Sequence, residues 1–215
     1  MLSGFRRLRR YVNTNGARRT AAAIGRLLLG LVYMEVRLIV LVKDLSAIVE
    51  PRRDGGLRVE DVGPGRLSEL AELNRRRGRP EVQRLLERYL EQGFHGFVAY
   101  RGEELIGYYW WVDREVPVEY TDTHKLGLGI ELGDGDVYGS HFFLLEEHRG
   151  GGTATDFLFK VERSLRDRGY VRLWGYVSGG NRPAQWVYST RGYAQKWIVR
   201  LRRIALIQRT TRESM

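Results

Sequence analysis

One segment limits the fold of this chain more than any other: an apolar run that enters a glycine-rich turn and continues with helical periodicity. Residues 137–145 are dominated by aromatic and aliphatic side chains, which predicts a strand. Gly150, Gly151 and Gly152 follow, and residues 151–168 have the pattern of a helix that ends at Gly169. Such a turn collects backbone N–H groups at the positive end of a helix, so it predicts an anion site suited to a pyrophosphate.

Two common phosphate-binding motifs are excluded at this turn. No Lys-Ser/Thr pair follows the glycines, which excludes the loop of a nucleotide triphosphatase. No G-x-G-x-x-G follows a first strand, so a dinucleotide-binding fold is not supported either. The function of the turn therefore depends on what surrounds it.

The rest of the chain alternates between strand and helix patterns. Strands are predicted over residues 57–62, 94–100, 105–112 and 171–177, with one long or two short strands over residues 196–207. Helices are predicted over residues 65–77, 80–92 and 182–190. Residues 113–136 carry no clear pattern. This alternation predicts an α/β (α+β) fold with a mixed central sheet of about six or seven strands flanked by helices.

Charge divides the chain into two predicted parts. Residues 1–53 carry eleven basic and three acidic side chains, a net charge of +8, whereas the rest of the chain carries only +2 of the total +10. Residues 50–56 are polar and contain Pro51, Gly55 and Gly56, which is typical of a linker. We therefore expect a basic, amphipathic N-terminal extension over residues 1–50 and a separate folded domain over residues 51–215.

The basic extension leaves several roles open. Residues 21–31 have helical periodicity, and residues 36–42 form a β-branched run typical of a strand or a buried helix end. The longest uncharged stretch, residues 27–34, is far shorter than the ~20 residues of a membrane-spanning helix. An Arg-rich start without acidic residues suits a mitochondrial presequence, a membrane-surface helix, a partner-docking helix or a solvated helix packed on the body. An acidic partner is expected for it, either an acidic protein or a membrane surface, whereas nucleic acid is not.

The cysteine and histidine content limits the kinds of catalytic site and metal site that the chain can form. The chain has no cysteine, which excludes disulfides, thiolate metal sites and a cysteinyl acyl-enzyme. Its four histidines show no paired ligand spacing, so no metal is expected. We predict a cytoplasmic protein that can lie at the periphery of a membrane.

A second motif changes how the glycine turn is interpreted. Asn181 precedes a short helix with Pro183 near its start, and Gly192-Tyr193 ends it. The sequences Arg149-x-x-Gly152-x-Ala154 and Asn181-x-x-Ala184-x-x-Val187-Tyr188 resemble, in order and spacing, two motifs of the GCN5-related N-acetyltransferase (GNAT) superfamily. The strong match covers residues 137–194, and residues 57–112 agree with the family only in element order.

The resemblance implies direct transfer of an acyl group from acetyl-CoA, or another acyl-CoA, to the amine of a small molecule. It implies that the amides of Gly150, Gly151, Gly152, Thr153 and Ala154, within the motif that Arg149 begins, hold the pyrophosphate. Residues 143–145 (Phe143, Leu144 and Leu145) would bind the pantetheine arm, and the Leu144 N–H would stabilise the oxyanion. Asn181 would contact that arm from the other side, and Tyr188 would protonate the departing thiolate as the general acid.

The resemblance does not identify the general base that would take a proton from the attacking amine. Relatives often carry a strand glutamate where this chain has Ser140. His141 is adjacent and has an ordinary pKa of about 6.5, but strand alternation predicts that it points to the face opposite Ser140. Glu119, Asp122, His124 and Glu131 lie in the unpatterned stretch that would approach the acceptor, and a chain of water molecules is an equal alternative.

Two further functions stay open on the sequence. The acyl donor could be an acyl carrier protein docked by the basic extension, or the chain could be a non-catalytic acyl-CoA-binding module tethered to a membrane or nucleic acid. The sign of the charge favours the former, and the missing strand carboxylate favours the latter.

Overall fold

A computed structural model describes residues 33–50, 55–204 and 207–214 of the chain. Its strands are β1 (Tyr33–Asp44), β2 (Leu57–Asp61), β3 (His95–Arg101), β4 (Glu104–Val112), β5 (Asp136–Leu144), β6 (Arg172–Ser178), β7 (Ala194–Ile204) and β8 (Ile207–Ser214). Its helices are α1 (Leu67–Arg76), α2 (Val82–Glu91), α3 (Asp122–Lys125), α4 (Thr153–Asp167) and α5 (Arg182–Thr190).

All eight strands form one mixed sheet in the order β2-β3-β4-β5-β6-β1-β7-β8. Only β5 and β6 pair in parallel, and every other neighbouring pair is antiparallel. The predicted α/β fold with a mixed sheet is therefore confirmed. The strand number is eight rather than six or seven, because the C-terminal run folds into the β7–β8 hairpin and β1 also joins the sheet.

The position of β1 corrects the predicted division at residue 50. This strand lies between β6 and β7 and pairs with both, so residues 33–44 belong to the body. The β-branched run at its centre is buried, with Val40 fully inaccessible and Leu41 nearly so. An apolar run covered on both faces of a sheet is a central strand, whatever the charge of the segment before it. Residues 1–32, with the helix predicted over residues 21–31, and residues 51–54 of the predicted linker lie outside the described residues.

The sheet separates two apolar layers. Helices α1 and α2 pack on one face, where Leu70 and Leu86 meet Trp110. Helices α4 and α5 pack on the other, where Phe157 and Val187 belong to the same cluster as Trp111. Successive side chains of a strand point to opposite faces, so the adjacent Trp110 and Trp111 each anchor one layer. Among the described helices none is long and apolar enough to cross a membrane.

The two parallel strands separate soon after they meet. Pairing between β5 and β6 runs only from Asp136↔Arg172 to Tyr138↔Trp174. At the closed end, the buried Asp136 carboxylate accepts hydrogen bonds from Arg172 Nε at 2.6 Å and Trp174 Nε1 at 3.2 Å. Beyond this point β5 and β6 are no longer paired, which leaves an opening in the middle of the sheet.

Candidate active site

A β-bulge at the opening changes which side chains share a face. On β5 the register with β4 shifts between Trp110↔His141 and Trp111↔Gly139, so Ser140 is the extra residue. Ser140 Oγ lies 3.4 Å from the Tyr89 hydroxyl on α2, and the His141 ring packs edge-on against Tyr108 at 5.5 Å. Both side chains therefore lie on the α1–α2 face, and the predicted opposite orientation of His141 is wrong. The reason is the bulge, which interrupts strand alternation.

The free edge of β5 presents alternate backbone amides to the opening. Leu145 N donates to the Ile106 carbonyl of β4 at 2.8 Å. In an antiparallel ladder alternate residues face the partner, so Phe143 also bonds to β4, while the N–H groups of Phe142 and Leu144 point toward the opening. The prediction for Leu144 agrees with this geometry. The predicted backbone roles of Phe143 and Leu145 do not, because their amides are already paired, although Phe143 is among the residues that line the cleft described below.

The three glycines form a turn that only glycine tolerates. Gly150, Gly151 and Gly152 have φ values of 131°, 54° and 85°, in the region that L-residues rarely adopt. A Cβ at Gly150 or Gly151 would meet no atom within 4 Å, so backbone conformation rather than lack of space requires glycine there. Gly152 is the N-cap of α4, and the turn therefore directs the amino end of that helix toward the opening.

Thr153 is buried beneath the turn, and its amide is already paired, unlike the free donor that the prediction requires. Its N–H donates to the Gly150 carbonyl at 2.9 Å, and its Oγ1 accepts from Arg101 Nη2 at 2.8 Å. The next residues, Ala154 and Thr155, line the cleft in its place. Arg149 Nε donates to the Leu144 carbonyl at 3.0 Å, which ties the end of β5 to the start of the turn.

The second motif forms the opposite wall. Asn181 caps α5, with Oδ1 accepting from the Ala184 N–H at 3.2 Å. Gln185 Nε2 donates to the carbonyls of Ser178 and Gly179 and so fixes the helix to the end of β6. Between this wall and the glycine turn lies a cleft of about 600 Å³. Its lining residues are Phe142, Phe143, Leu144, Arg149, Gly150, Gly152, Ala154, Thr155, Asn181, Pro183, Ala184, Trp186, Val187 and Tyr188.

Tyr188 is half-buried in the cleft and packs edge-on against Tyr193, with ring centroids 4.9 Å apart. Burial raises its pKa to about 12, and the nearby Glu162 carboxylate adds to that effect. The phenol is therefore protonated at neutral pH, as a proton donor must be.

A polar cluster lies across the opening from Tyr188, on the α1–α2 face. Asp122, at the start of α3, interacts with the Tyr176 hydroxyl of β6, and both side chains are half-buried. Burial raises the pKa of Asp122. The sequence grouped Asp122 with Glu119, His124 and Glu131, but these three side chains are exposed. The sequence does not indicate a catalytic role for Tyr176, because a tyrosine in a strand is not by itself a sign of function.

His141 is a poor acceptor of protons in this environment. Burial, followed by the positive charge of Arg77, lowers its pKa to about 4. Arg77 Nη1 donates to the Tyr108 hydroxyl at 2.7 Å and so lies beside the imidazole. Within the described ranges no group of three or more His, Asp or Glu residues is arranged to hold a metal ion.

Comparison with known proteins agrees with this geometry. The sequence profile described as the acetyltransferase (GNAT) family matches residues 67–193, which is more than half of the chain. The chain therefore belongs to the acetyltransferase (GNAT) family. No curated protein matches the sequence.

Solved structures share the fold at low sequence identity. A glucosamine N-acetyltransferase region of a fungal multi-domain β-N-acetylglucosaminidase superposes with a TM-score of 0.60 at 17% identity, over 87% of this chain and 23% of that one. A conserved protein of unknown function from Staphylococcus epidermidis gives 0.56 at 15% identity, over 82% and 65%. A GCN5-related N-acetyltransferase from Sphaerobacter thermophilus gives 0.54 at 16%, over 90% and 58%. The chain thus spans less than two thirds of the length of each.

Proposed function

We propose that this protein transfers an acetyl or other acyl group from coenzyme A directly to the primary amine of a small molecule. One observation supports this most strongly: the glycine turn, the free amides of β5 and the Tyr188 hydroxyl all border a single cleft. Each of these features suits a different part of an acyl-CoA, which is the co-substrate of the family.

The pyrophosphate would lie at the amino end of α4. Amides from the turn of Gly150–Gly152 and from Ala154 would donate to it, and the helix dipole would add about 0.3–1 kcal/mol of attraction. The Thr153 amide would not contribute, because its N–H already donates to the Gly150 carbonyl. Such a site needs little net charge, which fits the +3 carried by residues 33–215.

The pantetheine arm would run along the free edge of β5 as an added strand. The amides of Phe142 and Leu144 face that path, and Asn181 lies on its other side. The Leu144 N–H would then donate to the oxyanion formed when the amine attacks the thioester. Loss of one such donor in other acyl-transfer sites costs about 10²–10³ in rate.

Tyr188 would act as the general acid. Its protonated hydroxyl borders the cleft, so it can deliver a proton to the sulfur as the carbon–sulfur bond breaks. General acids of this kind contribute about 10²–10⁴ in rate. The acceptor would reach the thioester through the opening between β5 and β6.

The basic N-terminal segment would bind an acidic partner. Residues 1–32 contain seven arginines and no acidic residue, and the chain leaves them to enter β1 at the centre of the sheet. We propose a peripheral, cytoplasmic location set by this segment, or docking of an acyl carrier protein as the acyl donor. Removal of residues 1–32 should impair use of an acyl carrier protein while sparing free acetyl-CoA, and equal loss of both would contradict carrier docking.

Calorimetry with acetyl-CoA, followed by thiol release in the presence of primary amines, tests the main proposal. We expect saturable binding and amine-dependent release of CoA. Binding without release for every amine would favour a non-catalytic acyl-CoA-binding module. Failure to bind acetyl-CoA or any longer acyl-CoA would overturn the proposal.

A further inference from the structure

We propose that Asp122, beside Tyr176, is the base that takes the proton of the acceptor ammonium, and that the acceptor enters from the α1–α2 face as a cation. This inference rests on the proposed acyl transfer. It supplies the carboxylate that the sequence lacks at Ser140, and it does so from α3, a different element of the fold.

The position of Tyr176 connects this pair to the reaction centre. Pairing of β5 with β6 ends at Tyr138↔Trp174, so Ser140 and Tyr176 both lie two residues beyond the end of pairing, at the start of the opening. Tyr176 is also close enough to Tyr188 for the two hydroxyls to interact electrostatically. Asp122 and Tyr188 therefore lie on opposite sides of the point where the thioester would sit.

The surroundings of Asp122 suit a primary ammonium. Tyr89, Tyr138 and Tyr176 all interact electrostatically with its carboxylate, and Ser140 Oγ lies 3.4 Å from the Tyr89 hydroxyl. The Tyr138 hydroxyl is fully buried and has no hydrogen-bond partner among the described residues. Buried hydroxyls are normally paired, so this oxygen has an acceptor lone pair that no described residue uses. An ammonium group offers three N–H donors to such a set of oxygens.

The cationic groups near Asp122 leave room for this acceptor. Lys125, on the same short helix, lowers the pKa of Asp122 but is exposed, and its Nζ lies 3.4 Å from the Tyr120 carbonyl. Arg77 of the α1 end is bonded to Tyr108 on the far side of His141. The other titratable groups that interact with Asp122 are tyrosines, which are neutral at physiological pH.

The C-terminal hairpin holds Asp122 in place. Trp197 Nε1 of β7 donates to the Leu128 carbonyl at 2.8 Å, and Gln208 Nε2 of β8 donates to the Lys125 carbonyl at 3.2 Å. A side chain at Gly127 would contact Thr210 of β8. Trp197, Gln208 and Thr210 follow residue 193, where the family profile match ends. A base must be held at a fixed distance from its substrate, and this hairpin provides that support.

The protons and electron pairs balance in this arrangement. Asp122 takes one proton from the ammonium and later releases it to water. The freed nitrogen lone pair forms the carbon–nitrogen bond, and the carbon–sulfur bond breaks with its electrons on sulfur. Tyr188 protonates that thiolate, and the second proton lost by nitrogen restores Tyr188. The products are the amide, CoA thiol and one proton in solution.

The test compares Asp122→Asn with the wild type, using acetyl-CoA with glucosamine, putrescine and hydroxylamine as nucleophiles. At pH 6.5 the first two are mainly ammonium ions and need a base, whereas hydroxylamine is mainly neutral. We expect the amine rates of Asp122→Asn to fall about 10²–10⁴-fold, with hydroxylamine nearly unchanged and acetyl-CoA affinity equal to wild type. The rise of kcat with pH should also vanish. Glu119→Gln, which removes an exposed carboxylate three residues away, is the matched control.

The outcomes separate this inference from the proposed function. If the wild type does not bind acetyl-CoA, the proposed acyl transfer itself is wrong. If the wild type transfers to the amines and Asp122→Asn keeps both rate and pH profile, Asp122 is not the base, and acyl transfer still stands. An equal loss toward hydroxylamine, or acetyl-CoA binding without transfer to any of the three, would also overturn the inference. Should Asp122→Asn not fold, Tyr176→Phe must show the same selective loss, to a smaller extent.

Discussion

Arg191, at the end of α5, forms a buried ion pair with Glu162 on α4, with Arg191 Nη2 2.5 Å from Glu162 Oε2. The two side chains are 6% and 0% exposed. Arg191 Nη1 also donates to the Val49 carbonyl at 2.8 Å, beyond the end of β1. The pair therefore fixes α5, which carries Tyr188, against the helix that begins at the glycine turn. One contact between two residues that do not line the cleft therefore connects the two helices that form its walls.

We expect Glu162→Ala to destabilise the fold by about 3–5 kcal/mol, because it leaves the Arg191 guanidinium buried without its counter-charge. Urea unfolding would measure the difference. Glu81→Ala is the control, since its pair with Arg79 is mostly exposed and should be worth less than about 1 kcal/mol. Similar losses in the two variants would show that burial of the Glu162–Arg191 pair does not decide its contribution.

The glycine turn should be sensitive to a single methyl group. Gly152→Ala forces a residue with a Cβ to adopt φ near 85°, at a cost of about 1–2 kcal/mol, and should weaken acetyl-CoA binding as the turn distorts. Gly102→Ala is a matched control, because Gly102 has φ of 59° in the β3–β4 turn, away from the cleft. Calorimetry should show weakened binding for Gly152→Ala alone. Equal affinity in both variants would contradict the proposed pyrophosphate site.

Features of this site that depend on neighbouring residues could be predicted from the sequence, whereas features that depend on pairing with distant strands could not. The Asn181 cap and the three glycines are set by neighbouring residues, so their pattern predicted them correctly. The bulge at Ser140 arises from pairing with β4, and no local pattern announces it, so the side of His141 was predicted wrongly. Likewise the charge of its neighbours predicted that β1 lies outside the body, although its burial between β6 and β7 comes from partners 128 to 171 residues further along the chain.

Removal of one hydroxyl should separate catalysis from binding. Tyr188→Phe keeps the ring that packs on Tyr193 but cannot protonate the thiolate, so we expect kcat to fall about 10²–10⁴-fold at unchanged acetyl-CoA affinity. Thiol release and calorimetry measure the two quantities. Tyr170→Phe removes a hydroxyl bonded to Asp113 at 2.9 Å, outside the cleft, and should leave kcat unchanged. A Tyr188→Phe enzyme with wild-type kcat would show that the thiolate leaves without this acid.

The His141 environment should make stability depend on pH. Its pKa is about 4 in the folded protein and about 6.5 when unfolded, so the unfolded chain binds more protons between these values. The free energy of unfolding therefore has its full value above pH 6.5. It declines by about 1–3 kcal/mol as the pH falls toward 4, because the buried imidazole resists protonation. His141→Asn should remove this part of the decline in urea unfolding at a series of pH values. His124→Asn, at an exposed ring on α3, serves as the control, and an unchanged pH dependence in His141→Asn would mean that other groups cause the loss.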